Sequence, residues 1–163
     1  MMFCAIDPGL QGAIVCINEN NEIQMKHKIP VIKNPNGKTE INIKELVGII
    51  ESAGKINLIV LEKVHAMKGQ GVSSMFTFGK GCGILEGIVA TLRIPYLLVT
   101  PQAWQKEVLD GMNREGNSKQ ASVLMAERLF PSTDFRATER SKIIDSNITD
   151  AACMAVYAKR KSV

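Results

Sequence analysis

The chain has 163 residues, which suits a single domain over residues 1–163, at roughly 100–200 residues per domain. Hydrophobic residues make up 45% of the sequence and charged residues 22%, which is ordinary globular usage and excludes a disordered chain. Lysine and arginine total 20 against 16 aspartates and glutamates, so the net charge of +4 allows a polyanionic partner without establishing one.

The N-terminus and the cysteines indicate the compartment. The opening MMFCAIDPG has neither the basic nor the long apolar segment of a secretory signal. No apolar run approaches the roughly 20 residues of a membrane span. Cys4, Cys16, Cys82 and Cys153 form no C-x-x-C pair, which disfavours zinc. We therefore expect reduced core thiols in a protein of the cytoplasm or an organelle matrix, away from membranes.

Three short strands are predicted at the start of the chain. They are the segments MFCAID, GAIVCIN and EIQMKHKI, at residues 2–7, 12–18 and 22–29. Each is either continuously apolar or alternating, and tight turns join them, so they predict an antiparallel meander. A polar loop follows at residues 33–39. Residues 42–54 then have a helical period, with Asn42 as the cap and Gly54 as the stop.

The rest of the chain combines buried strands with helices. The apolar runs NLIVLE and PYLLVT, at residues 57–62 and 95–100, are typical of strands buried on both faces. Helical patterns occupy residues 73–93, 101–109, 118–130 and 149–161, and residues 131–144 are irregular and charged. The sequence therefore predicts an α/β fold: a mixed five-stranded sheet, three antiparallel strands plus two parallel ones, flanked by helices.

Three acids stand where this fold would bring them together. Asp7 ends the first strand, Glu62 ends the fourth, and Asp150 opens the last helix. If the first and fourth strands are neighbours, Asp7 and Glu62 meet at one edge of the sheet. Clustered carboxylates repel one another unless a cation lies among them, and oxygen ligands favour Mg²⁺ or Mn²⁺. Two such ions activate water and stabilise the leaving oxygen in phosphodiester hydrolysis.

Each acid also has a purely structural interpretation. Asp7 precedes Pro8-Gly9 and fits a turn, and Asp150 fits the acidic start of a helix. Glu62 fits a structural role least, because a charge directly after NLIVL is costly without a partner. As a set, the three acids favour a functional site.

Three segments of the chain resemble the RuvC-type Holliday junction resolvases, in their phage, bacterial and plastid branch. They are AIDPGLQGAI, then IVLEKVHAMKGQGVSSMFTFGKGCGILEGIVATLRIPYLLVTPQAWQKEVL, then DAACMAVYA, and the likeness extends over residues 4–161. The resemblance implies an RNase H-like fold. It also implies a homodimeric endonuclease that makes paired, symmetric nicks in four-way DNA junctions, with two Mg²⁺ or Mn²⁺ ions in each active site.

The resemblance matches Asp7, Glu62 and Asp150 to the family's metal-binding acids, but the fourth ligand departs from the pattern. The family has an Asp or His three or four residues before the last acid, where this chain has Asn147 and Ser146. Asp145 lies one residue further upstream, off the helix face of Asp150 unless it swings in from the preceding loop. Three interpretations stay open: Asp145 is the ligand, Ser146 or Asn147 ligates weakly through a neutral oxygen, or the substitution inactivates the site. We favour Asp145.

Residues that face DNA are expected around the acids, because holding a junction requires contacts to several phosphates. The resemblance places Lys106 and Lys119 where the family has active-site or backbone-binding lysines, able to offset transition-state charge. The remaining predicted DNA contacts are Lys63, His65, Met67, Lys68, Gln70 and Ser73. Met67 is the apolar candidate for wedging against bases. Any single lysine here also fits a solvated surface charge.

Gly79, Gly83 and Gly87 form a stripe along the long helix. A helical glycine costs about 1 kcal/mol relative to alanine, so three indicate a need for close backbone packing, either on the sheet or at a dimer interface. Trp104 is interpreted as a packing anchor.

The sequence thus predicts an endonuclease that resolves four-way DNA junctions. One alternative is a protein that binds junctions without cleaving them, because the fourth acidic ligand is replaced. Another is a different RNase H-like nuclease that acts on RNA–DNA hybrids or flaps.

Overall fold

A computed structural model describes residues 1–63, 69, 71–112 and 118–162 of the chain. The strands are β1 (Met2–Asp7), β2 (Ala13–Asn18), β3 (Ile23–Lys28), β4 (Val31–Lys33), β5 (Thr39–Ile41), β6 (Ile56–Glu62) and β7 (Tyr96–Val99). The helices are α1 (Ile43–Ser52), α2 (Val72–Thr91), α3 (Pro101–Val108), α4 (Ser118–Leu129) and α5 (Ser146–Lys161).

Five of the strands form one mixed sheet in the order β3-β2-β1-β6-β7. The first three are antiparallel neighbours, and β6 and β7 are added in parallel beside β1. The predicted α/β architecture is confirmed, including the adjacency of the first strand and the predicted fourth strand at the sheet centre. Because β1 and β6 are parallel, their carboxyl ends meet at the same edge of the sheet.

The sheet separates two hydrophobic clusters. Phe3 and Ala5 of β1 pack into the cluster that α3, α4 and α5 cover, whereas Cys4 and Ile6 pack into the cluster that α1 and α2 cover. This division follows from the alternation of side chains along a strand. Helix α5 lies across β1, β2 and β6 and is buried along most of its length. The central strands therefore project alternate side chains toward α5.

A hairpin of β4 and β5 occupies the region that the sequence predicts as a polar loop. Its turn is the segment Asn34-Pro35-Asn36-Gly37. The Gly37 N–H donates to the Asn34 carbonyl at 2.8 Å, and the Asn34 side chain accepts from the Asn36 and Lys38 N–H groups at 3.0 Å. Gly37 has φ of 73°, a conformation that favours glycine. The prediction of a loop over residues 33–39 is therefore wrong at both ends, because Lys33 belongs to β4 and Thr39 belongs to β5.

The last helix begins earlier than the sequence pattern predicts. Asp145 is its N-cap, and the Asp145 side chain accepts hydrogen bonds from the N–H groups of Asn147 and Ile148 at 2.9 and 3.3 Å. Aspartate is a favoured residue at this position because it satisfies N–H groups that have no helical partner. Asp150 consequently lies in the second turn of α5 rather than at its start, and Ser146 and Asn147 are the first two helical residues.

The prediction of four reduced cysteines is wrong for one pair. Cys4 and Cys16 are directly opposite each other on the antiparallel strands β1 and β2, and a disulfide joins them. Strand register brings the two residues together, which their separation in sequence does not reveal. Cys82 and Cys153 are free thiols, half-buried and buried respectively.

The glycine stripe of α2 faces outward. Gly79, Gly83 and Gly87 are exposed, and a methyl group added at any of them would meet no atom within 4 Å. Close packing of this stripe on the sheet, one of the two interpretations of the sequence, is therefore wrong within the chain. Among the residues that the structure describes, no helix is both long and apolar enough to cross a membrane.

Candidate active site

Two of the predicted acids lie side by side at the carboxyl ends of β1 and β6. Ile6 and Leu61 are the last residues paired between these parallel strands, and Asp7 and Glu62 follow them directly. Val60 packs in the cluster beneath α3–α5, so alternation along β6 projects Glu62 toward the same helices. The same alternation along β1 projects Asp7 to that side.

Glycine permits the turn that carries Asp7. Gly9 has φ of +113°, and the Gly12 N–H donates to the Gly9 carbonyl at 3.0 Å. A side chain at Gly12 would place its Cβ only 2.1 Å from the backbone oxygen of Asp7. The segment between β1 and β2 therefore folds tightly over the end of β1, which fixes where Asp7 lies.

Asp150 is held in place by a buried serine of the neighbouring helix. The Ser122 hydroxyl on α4 is fully buried and donates a hydrogen bond to Asp150 Oδ1. Its oxygen also lies 3.2 and 3.1 Å from the carbonyls of Ser118 and Lys119. Since a hydroxyl has one proton, the carboxylate is the acceptor that benefits most from it. Sequence reasoning missed this partner, because serine on an amphipathic helix is usually exposed.

Glu62 has an aromatic partner. The indole Nε1 of Trp104, on α3, donates a hydrogen bond to Glu62 Oε1 at 2.8 Å. Trp104 is only 1% exposed and packs in the cluster under α3–α5, so it is the packing anchor that the sequence predicts. It has a second role that sequence reasoning missed, since a buried indole N–H requires an acceptor and Glu62 supplies it.

The three acids interact electrostatically. Burial, followed by the charges of Glu62 and Asp150, raises the pKa of Asp7 to about 8, against the opposing effect of Lys28 and Lys119. Burial also raises the pKa of Asp150 to about 6, although the Ser122 hydrogen bond opposes this and the charge of Glu62 adds to it. Burial raises the pKa of Glu62 as well, and the Trp104 hydrogen bond lowers it. The structure thus brings Asp7, Glu62 and Asp150 into one cluster.

Asp145 lies near this cluster but is already engaged. Its Oδ2 is 2.9 Å from Lys28 Nζ, and its Oδ1 caps α5. Its charge contributes to the raised pKa of Asp150, which places it at the edge of the cluster. The Asn147 side-chain amide donates to the Gln11 carbonyl at 2.8 Å. The predicted metal-ligand roles of Asp145 and Asn147 stay predictions.

The donor set fits a hard divalent cation in its chemistry. The three carboxylates are near enough for repulsion between them to contribute to the raised pKa of Asp7 and Asp150. A cation would relieve that repulsion. Within the described residues, no three His, Cys, Asp or Glu side chains are close enough together to hold a metal as they stand. In the structure as it stands, Glu62 accepts a hydrogen bond from Trp104 and Asp150 accepts one from Ser122.

The predicted DNA contacts that lie within the described residues are all exposed. Lys119, exposed in the first turn of α4, lowers the pKa of both Asp7 and Asp150, so its charge reaches the cluster. Lys106 is exposed in the last turn of α3, the helix that carries Trp104. Lys63 is exposed directly after Glu62. Ser73 is exposed near the start of α2.

Four predicted DNA contacts lie outside the described residues. They are His65, Met67, Lys68 and Gln70, in the segment that joins β6 to α2. Their assignment as DNA contacts stays a prediction from the sequence.

Lys28 is a further residue that sequence reasoning missed. It ends β3 opposite Ala13, and its charge lowers the pKa of Asp7. The alternation of apolar and polar residues in EIQMKHKI predicts only a solvent-facing lysine on an edge strand. Only the register of β3 beside β2 reveals that it reaches the acids.

Comparison with known proteins identifies the fold. No family model and no curated protein sequence matches the chain. Among solved structures, RuvC of T. thermophilus in complex with Holliday junction substrate is 15% identical, with 99% of this chain and 97% of that chain covered and a TM-score of 0.61. A second Thermus thermophilus RuvC structure is 13% identical, with coverages of 99% and 98% and a TM-score of 0.55.

A eukaryotic structure has the same architecture. The yeast mitochondrial Holliday junction resolvase is 12% identical, with 98% of this chain and 78% of that chain covered and a TM-score of 0.54. The chain therefore has the RNase H-like α/β fold of the RuvC-type resolvases. The resemblance seen in the sequence is confirmed at the level of the fold along nearly its whole length.

Proposed function

We propose that the chain is a metal-dependent endonuclease that resolves four-way DNA junctions. The observation that carries the proposal is the cluster of Asp7, Glu62 and Asp150, at the carboxyl ends of the central parallel strands. Its position in a RuvC-type fold supports the assignment, because the solved structures with this fold include one in complex with Holliday junction substrate. Proteins that share a fold often differ in function, so the proposal depends mainly on the carboxylate cluster.

In this proposal Asp7, Glu62 and Asp150 hold the divalent ions, two Mg²⁺ or Mn²⁺ per active site. The ions supply activation of water and stabilisation of the leaving 3′ oxygen in phosphodiester hydrolysis. Carboxylate ligands suit these hard cations and do not by themselves select between them. A further ligand role for Asp145 or Asn147 stays a prediction from the resemblance to the family.

The chain's own residues prepare the site for this chemistry. Trp104 and Ser122 fix the orientation of Glu62 and Asp150 through hydrogen bonds from buried positions. Burial of Asp7 limits its contact with water, which strengthens electrostatic interactions there. In the proposal Lys119, whose charge reaches two of the acids, contacts the scissile phosphate and offsets negative charge as the bond breaks.

The proposed DNA surface surrounds the acids. Lys106 and Lys119 lie exposed on α3 and α4, and Lys63 lies exposed beside Glu62. Lysines bind the phosphate backbone irrespective of base sequence, which suits an enzyme that recognises the shape of a branch. His65, Met67, Lys68 and Gln70, which the sequence predicts as DNA contacts, belong to the same proposal.

A homodimer is part of the proposal, because symmetric nicks in two strands require two active sites related by a two-fold axis. Helix α2 supports it. Gly79, Gly83 and Gly87 leave open space along the helix, and Val72 and Phe76 on the same helix are 85% and 75% exposed. A second copy of α2 is the proposed occupant of this surface.

One observation favours the alternative of junction binding without cleavage. The carboxylate nearest to the family's fourth ligand position, Asp145, is bound to Lys28 and to the start of α5. If a fourth acidic ligand is required, this arrangement withholds it.

An end-labelled synthetic junction tests the proposal directly. The chain is incubated with the junction, a linear duplex, an RNA–DNA hybrid and a flap, in Mg²⁺, in Mn²⁺ and in chelator. The proposal predicts paired nicks at symmetric positions, in the junction only and with metal only. Junction-selective binding without nicks would support the binding alternative, and preferential cleavage of the hybrid or the flap would support a different nuclease.

A further inference from the structure

Lys28 forms a sheltered ion pair at the edge of the acid cluster. Its Nζ is 2.9 Å from Asp145 Oδ2, and the two side chains are only 27% and 18% exposed. The same ammonium donates a hydrogen bond to the Gln11 carbonyl, in the turn between β1 and β2. An ion pair so placed is less screened by solvent than one on the surface.

Both carboxylate oxygens of Asp145 are in use. Oδ2 faces Lys28, and Oδ1 accepts from the N–H groups of Asn147 and Ile148 at 2.9 and 3.3 Å. A cation seeking Asp145 would have to displace an ammonium and the first N–H groups of a helix. Both carry positive charge toward the carboxylate, so both oppose a second cation.

Lys28 also connects Asp145 to the turn that follows Asp7, because it contacts both Asp145 and the Gln11 carbonyl. Gln11 accepts from Lys28 and from the Asn147 side chain, so the start of α5 and the turn after Asp7 are tied through one carbonyl. Lys28 therefore lies between Asp145 and the turn, as a fixed positive charge at the flank of the acid cluster.

We propose that Lys28 keeps Asp145 out of the metal-ligand set, so that divalent ions bind to Asp7, Glu62 and Asp150 alone. Lys28 is in this view a positioning residue that limits the affinity of the site. The inference rests on the proposed function in that the three acids must bind a divalent ion.

The test is Mn²⁺ binding to the full chain without DNA, measured by titration calorimetry. Lys28→Gln removes the charge while its amide retains a donor for the Gln11 carbonyl. We expect this variant to bind Mn²⁺ roughly tenfold more tightly than the natural chain. Lys26→Gln is the matched control, since Lys26 lies two residues earlier on the same strand and donates to the Asp134 carbonyl. We expect it to leave the affinity within about twofold.

Asp145→Asn completes the experiment, because asparagine preserves the helix cap. We expect Asp145→Asn to leave the affinity of the natural chain nearly unchanged and to cancel the gain of Lys28→Gln in the double variant. If Asp145→Asn weakens binding as much as Asp150→Asn does, Asp145 is already a ligand and the inference is wrong. An unchanged affinity in a folded Lys28→Gln variant, verified by circular dichroism, also overturns it.

Failure of the proposed function gives a different result. If the natural chain does not bind Mn²⁺, or if Asp7→Asn leaves Mn²⁺ binding intact, the metal site itself is wrong and the inference falls with it. If Lys28→Gln does not fold, two single variants, Lys28→Arg and Asp145→Asn, are measured instead. The inference then requires both to bind Mn²⁺ as the natural chain does, and weaker binding by Asp145→Asn overturns it.

Discussion

The indole Nε1 of Trp104 donates a 2.8 Å hydrogen bond to Oε1 of Glu62, which links helix α3 to the end of the central strand β6. The contact lies between a core residue and an acid that the sequence assigns to catalysis. Packing of α3 on the sheet and orientation of the carboxylate therefore depend on one side chain.

Replacement of Trp104 by phenylalanine tests this link. Trp104→Phe keeps an aromatic ring in the core and removes the N–H, so Glu62 loses its donor. We expect the free energy of unfolding to fall by about 2 kcal/mol, from the lost hydrogen bond to a charged group together with a small cavity. We also expect slower junction nicking. Urea denaturation and single-turnover cleavage measure the two effects.

Glu62→Gln separates the two contributions, since its amide oxygen still accepts from Trp104 while its charge is lost. We expect nearly unchanged stability and a severe loss of nicking in this variant. Equal nicking by Trp104→Phe and the natural chain would show that the indole serves packing alone.

Ser122 offers a second test, with a pH dependence of definite sign. Its hydroxyl lowers the pKa of Asp150 by stabilising the charged form, while burial raises that pKa overall to about 6. Ser122→Ala is therefore expected to destabilise the protein by about 1–2 kcal/mol at pH 8, where Asp150 is ionised, and by less at pH 4.5. Urea denaturation at the two pH values measures this. Equal destabilisation at both would mean that the hydroxyl does not act through the Asp150 carboxylate.

The raised pKa of Asp7 leads to a prediction of how the stability of the metal-free protein depends on pH. Its pKa is raised from 3.8 to about 8, so in this range the folded chain holds a proton that the unfolded chain has released. The free energy of unfolding is therefore expected to fall as pH rises from about 4 to about 8, by up to about 1.4 kcal/mol per pH unit for this one group.

Asp7→Asn is expected to flatten this slope, because asparagine does not titrate. Added Mn²⁺ is expected to raise the stability of the natural chain at pH 8 and to have little effect on the variant. Thermal denaturation across the pH range, with chelator or Mn²⁺, provides the measurement. The same slope in both proteins would show that Asp7 titrates near its ordinary pKa.

The glycine stripe on α2 yields a prediction about assembly. Gly83→Arg adds a long side chain where the chain itself leaves open space, so we expect the protomer to fold and the proposed dimer to dissociate. Gly48→Arg on α1 is the matched control, since Gly48 is also exposed with no atom within 4 Å of an added Cβ. Light scattering after size-exclusion chromatography measures the masses. A dimeric Gly83→Arg variant would place the interface elsewhere.

The fold was predictable because its signals are local. Apolar runs and helical periods determine the order of elements, and the rules for connecting neighbouring strands leave few ways to arrange the sheet. The boundaries of the helices and strands were harder to predict from the sequence. Asp145 caps α5 through its own side chain, and the segment Asn34-Pro35-Asn36-Gly37 closes a hairpin within a stretch that is polar throughout.

The site was predictable as a set of charges and not as a set of contacts. Asp7 and Glu62 are conspicuous because each follows a buried strand, where an acid is costly. The partners of the acids are ordinary residues in sequence. Trp104 donates to Glu62, Ser122 donates to Asp150, and Lys28 on an edge strand pairs with Asp145. Only tertiary packing brings them to the acids. The same holds for the disulfide of Cys4 and Cys16, which depends on strand register.

The central claim is that the carboxylate cluster cleaves the junction, and Asp7→Asn tests it most directly. Junction affinity is measured in Ca²⁺, and single-turnover nicking of the same labelled junction is measured in Mg²⁺ and in Mn²⁺. We predict that the variant binds the junction within a few-fold of the natural chain and nicks it on the order of 1,000-fold more slowly, which corresponds to several kcal/mol of transition-state stabilisation. Nicking by Asp7→Asn at a rate close to that of the natural chain would contradict the account and place the active site elsewhere.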